Sequence, residues 1–140
     1  MATYNKFLAF TDDLAEGIHT LASDTLDIAL TAAASAPVNT NTVLANLTEI
    51  SYTNMDADRT IATVSSTQTA GQYSLVQTDE VLTATGTVAG FRYIVLFNQT
   101  ASSPLVDPLI AWWDYGSDLV LLNTETLTLD FGATTFTLGA

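Results

Sequence analysis

The residues best placed to do chemistry stand in "DPLIAWWDYG", Asp107 to Gly116. Asp114, set between Trp113 and Tyr115, is either an acid/base carboxylate in an aromatic pocket or part of a strand with large apolar groups on both faces. Other candidates are sparse. His19 is the only histidine, and the chain has no cysteine, so thiolate catalysis, disulfides and Cys-ligated zinc are excluded. A lone histidine near the end of a helix most often favours the C-terminal dipole or is simply exposed. "NMDADR", Asn54 to Arg59, places oxygen side chains at alternate positions like the start of a calcium loop. Arg59 occupies the glycine position of such a loop, however, and Ser65 that of its bidentate glutamate, so a solvated acidic turn is the better reading. "NLT" at Asn46 and "NQT" at Asn98 match the glycosylation pattern but accompany no secretion signal. Asp12/Asp13 and Asp79/Glu80 are sequence neighbours at a helix start and a turn, and do not form the convergent pair that acid/base work needs. No catalytic residue, cofactor or metal site is expected, and an enzyme is the least favoured class.

The elements that would carry these residues are mostly strands. "TLDIALT" alternates, with Leu26, Ile28 and Leu30 on one side and Asp27, Ala29 and Thr31 on the other. Further candidates are "LTEISYT", "TIATVSS", "GQYSLVQ", "EVLTATGTV", "GFRYIVLF", "PLIAWWDY", "DLVLL", "ETLTLDF" and "TTFTLG". Threonine is used heavily, and its branched Cβ favours a pleated strand. One helix is expected over residues 11–22, with Thr11 as N-cap, Asp12 and Asp13 at its positive end, and Leu14, Ile18 and Leu21 on one face. Gly17 weakens it. The pattern predicts a mainly β chain: one antiparallel β-sandwich or barrel-like domain over 1–140, with an N-terminal arm (1–10), the helix, and strands from residue 25 on.

Pairing "GFRYIVLF" with "PLIAWWDY" as a hairpin answers the question of Asp114. With Asn98 opposite Pro108, Phe91 faces Tyr115, Tyr93 faces Trp113, Val95 faces Ala111 and Phe97 faces Leu109. On the other side Ile94 meets Trp112 and Leu96 meets Ile110. Arg92 then lands opposite Asp114, a salt partner that makes the carboxylate structural. Phe91, Tyr93, Trp112, Trp113 and Tyr115 form an aromatic cluster of cross-strand pairs.

Composition narrows the partners. Fifteen acidic residues against three basic ones leave a net charge of −12, with Lys6, Arg59 and Arg92 the only fixed cations. Such a chain cannot neutralise nucleic-acid phosphates, and an anionic membrane would repel it. Charged residues make up only 13%, hydrophobic ones 48%, and mean hydropathy is +0.29. Polar cover for a free monomer is scarce, so burial against copies of itself or a partner is expected. No apolar run is long enough for a membrane helix. The start, "MATYNKFLAF", lacks the apolar length of a signal peptide, so synthesis in the cytoplasm is expected.

Ordered phrases then carry a resemblance: "YNKF…DLAEGIHTLASDTLDIALT", "NTVLANLTEI", "FRYIVLFNQT…DPLIAWWDYG" and "ETLTLDF". From Tyr4 to Phe131 the chain resembles a family of small tailed-bacteriophage virion proteins, described as minor capsid or head-decoration proteins. Members often carry a longer glycine-rich stretch where this chain has "TNMDADRT", so no contact of that loop is carried over. The resemblance implies a capsid decoration (cement) protein bound outside the major capsid protein shell, self-associated as a trimer and located on the virion. A tail, neck or fibre component is the alternative. A carbohydrate-binding sandwich using Trp112 or Trp113 as a stacking platform is a third reading. Tyr4, Lys6 and Phe7 of the arm, and Pro37, Val38 and Val43 of the Ala32–Asn46 loop, are the candidate contacts to neighbours.

Overall fold

Strand β2 (Leu26–Thr31) organises the molecule, and every one of its six residues is buried. The computed structural model describes residues 2–56, 58–101 and 103–139. β2 pairs antiparallel with β7 (Phe91–Asn98) on one side and with β3 (Thr60–Ile61) on the other. β7 pairs with β8 (Leu109–Leu119), and β8 with β1 (Thr3–Lys6), completing a five-stranded sheet in the order β1-β8-β7-β2-β3. A three-stranded sheet, β10-β5-β4, joins Phe136–Leu138, Gln72–Gln77 and Thr63–Thr69. A two-stranded sheet pairs β6 (Glu80–Thr83) with β9 (Thr126–Leu129). The fold is mainly β, antiparallel and sandwich-like, with one helix.

Both faces of the large sheet are covered, so the inside–outside alternation expected for β2 becomes an alternation between two cores. Leu26, Ile28, Leu30, Ile94 and Leu96 pack against Leu75 and Phe136 of one small sheet and Leu82 and Leu129 of the other. On the opposite face Ala29, Val95, Phe97, Leu109 and Trp112 pack with Phe7, under Leu44 and Leu47. The Ala32–Asn46 loop therefore folds back over the sheet. Pro37 is buried, and Val43 forms a bridge with Pro108.

The N-terminal segment is not a free arm. Strand β1 closes the sheet edge, and Phe7 and Phe10 are completely buried. The helix, α1, spans Ala9–Ala15 and not 11–22, with Leu8 at its N-cap position and Thr11 inside it. Gly17 ends it at φ +73°. The Gly17 N–H donates to Leu14 O at 3.2 Å and the Ile18 N–H to Asp13 O at 2.8 Å, the paired bonds of a Schellman cap. Gly17 thus terminates a helix that it was expected only to weaken.

"LTEISYT" is not a strand. Past the short β3, the Leu30 N–H donates to the Tyr52 hydroxyl at 2.9 Å, and Leu30 O accepts from the Ile50 N–H at 3.0 Å. This irregular segment satisfies the backbone of β2 without forming a strand. "DLVLL" is not a separate strand either, because its first two residues complete β8.

Candidate functional site

The β7–β8 hairpin forms, but in a register that slips along its length. Phe97 faces Leu109 as expected. The next pair is Leu96 with Ala111, leaving Ile110 as the extra residue of a β-bulge. Beyond it Val95 faces Trp112, Ile94 faces Trp113 and Tyr93 faces Asp114. A second irregularity puts Phe91 opposite Leu119 and not Tyr115. Each single-residue shift transfers the following side chains to the other face. The bulge therefore sends Trp112 toward Phe7, ring centroids 4.5 Å apart, and Trp113 toward the small sheets.

The Arg92–Asp114 pair survives the slip. Arg92 sits in the second irregularity, diagonal to Asp114, with Nε donating to Oδ1 at 2.8 Å and an Nη donating to Oδ2 at 2.9 Å. The Gly116 N–H adds a third bond to Oδ1 at 2.8 Å. The Arg92 fork, then the Gly116 N–H, hold the Asp114 carboxyl below its usual range, and the same fork raises Arg92. A carboxylate so held accepts bonds and is poorly suited to carry protons.

The expected aromatic cluster does not exist as one group. Phe91 lies in the main core, Tyr93 and Trp112 on the opposite face, and Tyr115 is 46% exposed. Trp113 instead meets Tyr4 of β1 (centroids 5.8 Å apart) and Phe131 (5.7 Å, planes at 68°). Together with Tyr115, Leu127, Asp130 and Thr135, Trp113 and Phe131 line an open cleft of about 260 Å³. The Thr135 hydroxyl is buried behind this lining, with no hydrogen-bond partner among the described residues. Phe131, Asp130 and Thr135 were not singled out from the sequence. Only the packing of the two small sheets against the large one brings them beside Trp113.

His19 is neither exposed nor on the helix. It lies past the Gly17 cap with its side chain fully buried. Asn98 Nδ2 donates to His19 Nδ1 at 3.1 Å and also to Asp24 Oδ2, while Asn98 Oδ1 accepts from the Thr100 and Ala101 N–H groups. Nδ1 as acceptor places the imidazole proton on Nε2, which faces Asp13 Oδ2 at 3.9 Å. Burial lowers the His19 pKa to about 4, against the opposing charge of Asp24. Burial first, then the charge of Asp12, raises that of Asp13. The group clips the segment after α1 to the end of β7.

The "NMDADR" carboxylates serve turns. Asp56 Oδ1 accepts from the Asp58 N–H at 3.3 Å, and Asp58 Oδ1 from the Thr60 N–H at 3.1 Å. Ala57 lies outside the described residues. Among the described residues no group of three or more acidic, histidine or cysteine side chains could hold a metal. Asp79 Oδ1 accepts from the Phe131 N–H at 3.0 Å, tying the β5–β6 turn to the wall of the cleft.

The candidate contact residues divide. Phe7 and Pro37 are buried and unavailable to a neighbour, Phe7 in the second core and Pro37 within the loop that covers it. Lys6 is half-buried, donating to Thr11 Oγ1 at 2.7 Å, and Val43 is half-buried beside Pro108. Tyr4 is 40% and Val38 53% exposed. The Leu8 N–H donates to Asn39 O at 2.9 Å, which ties the segment of Leu8, also exposed, to the loop that carries Val38. Among the described residues no helix is long and apolar enough to cross a membrane. In comparisons with family models, curated proteins and solved structures, nothing matches this chain.

Proposed function

We propose that the chain is a tailed-bacteriophage decoration protein that binds the outer surface of the major capsid protein shell and stabilises the filled head. The observation that carries this reading is the exposure of Leu8 and Val38 on two segments tied together by the Leu8–Asn39 backbone bond, on an acidic chain. An apolar contact fixed on a folded scaffold suits attachment to a protein lattice, and a net charge of −12 favours a position away from packaged DNA. The ordered phrases from Tyr4 to Phe131 support it as well. Self-association as a trimer lets each unit touch several capsomers. Many copies then multiply a modest contact energy, and mass action favours the assembled shell. The chain is made in the host cytoplasm and works as part of the particle.

The test is location and copy number in purified particles, by electron microscopy and quantitative mass spectrometry. The expected result is occupancy in proportion to capsomers on the outer face, lost when Leu8→Glu and Val38→Glu are combined. A few copies at the neck, tail or fibres would assign the chain to that station. Particles lacking it that resist heat and osmotic shock equally well would overturn the cementing role.

A further inference from the structure

We propose that the Trp113–Phe131 cleft is a binding site for the arginine or lysine side chain of a basic peptide segment. Trp113 and Phe131 form two walls inclined at 68°, and Tyr115 adds a third ring that is 46% exposed. The faces of aromatic rings attract cations, tryptophan most strongly. Asp130 stands at the rim, with Oδ1 accepting from the Gly132 N–H at 2.7 Å and Oδ2 without a partner among the described residues.

The lysine and arginine side chains of the described residues are engaged elsewhere. Lys6 bonds to Thr11, and Arg92 is forked onto Asp114. Arg59 donates to Ile28 O with its guanidinium 3.8 Å above the Tyr52 ring. No lysine or arginine side chain of the described residues reaches Asp130, and the −12 field draws cations from outside toward it. An anionic ligand is repelled. A purely apolar one would make no use of the Asp130 charge. An arginine or lysine fits both halves of the lining, its aliphatic stem on Leu127 and Trp113 and its charged head between the rings and Asp130.

The probe is a capped glycine pentapeptide with arginine at its centre, titrated at physiological ionic strength into the folded protein. The indole N–H resonances of Trp113 and Trp112 are followed by NMR. Saturable movement of the Trp113 signal, with Trp112 still, is expected. The neutral citrulline analogue should bind roughly tenfold more weakly, and Tyr115→Ala should weaken arginine binding about threefold, the scale of a partly exposed cation–π contact. Asp130→Asn should weaken it by a similar factor. Glu16→Gln removes the same charge from the end of α1 and should leave binding unchanged. Equal losses in Asp130→Asn and Glu16→Gln would reduce the effect to the general field and overturn the site. Citrulline binding as well as arginine, or a response to monosaccharides alone, would overturn the cation reading.

Discussion

Phe7→Ala tests whether the N-terminal segment is a structural strand or an arm. Phe7 has no exposed surface, stacks on Trp112 at 4.5 Å, and its N–H donates to Ile110 O at 3.3 Å. Truncating a fully buried phenylalanine typically costs about 3–5 kcal/mol, transfer and cavity terms together. The larger end applies if the sheet and the Leu44–Leu47 segment cannot collapse into the space. Domains of this kind have only about 5–15 kcal/mol in total, so the variant should be severely weakened. Urea unfolding followed by tryptophan fluorescence is the assay. With an m-value of about 2 kcal/mol per molar, a 4 kcal/mol loss moves the midpoint down by about 2 M. Tyr4→Ala, three residues earlier and 40% exposed, should cost much less. A Phe7→Ala midpoint within about 0.3 M of the parent would mean that the segment does not dock as described.

Three further outcomes are expected. Arg92→Gln and Asp114→Asn should be non-additive in a double-mutant cycle of unfolding, and strict additivity would dissolve the pair. His19 has a folded pKa depressed from 6.5 to about 4, so the unfolded chain binds the extra proton first. Its contribution is complete above pH 6.5 and is lost as pH falls toward 4. Asp13, raised by burial, acts in the opposite sense, since its protonation on acidification favours the folded state. A His19→Gln variant should lose less stability than the parent between pH 7 and 5 in chemical unfolding, and identical slopes would contradict a buried neutral imidazole. Gly17→Ala should cost about 1 kcal/mol, because alanine at φ +73° is strained whatever the space around it, and thermal unfolding should register the loss.

Part of the hairpin was legible because charge and chain direction leave few choices. Arg92 is the only charged residue of β7, and Asp114 the only one of "PLIAWWDY", the stretch read as its partner, and long side chains reach across a diagonal. The pair therefore tolerates the register slip that moved every aromatic neighbour. The cleft was not legible. Phe131, Asp130 and Thr135 read as the end of one strand and the start of another, and their meeting with Trp113 depends on how the small sheets sit on the large one. His19 was misread for a related reason. Its burial comes from Asn98, 79 residues away, which no local pattern connects to it.

The sequence by itself determined the class of the protein. Two-residue alternation, abundant threonine and frequent turns make antiparallel β structure, since those preferences act between neighbouring residues. Composition likewise determined the acidic surface, because charges cannot be buried unpaired in such numbers. Gly17 carried the end of α1 in its own lack of a side chain. Only the tertiary structure decided which tryptophan faces which core. Alternation assigns sides only between bulges, and the bulge at Ile110 exchanges them. Nothing local at Ile110 requires that extra residue. It persists because Trp112 then fits against Phe7 and Trp113 against Tyr4 and Phe131, contacts whose energy exists only once strands distant in sequence have come together.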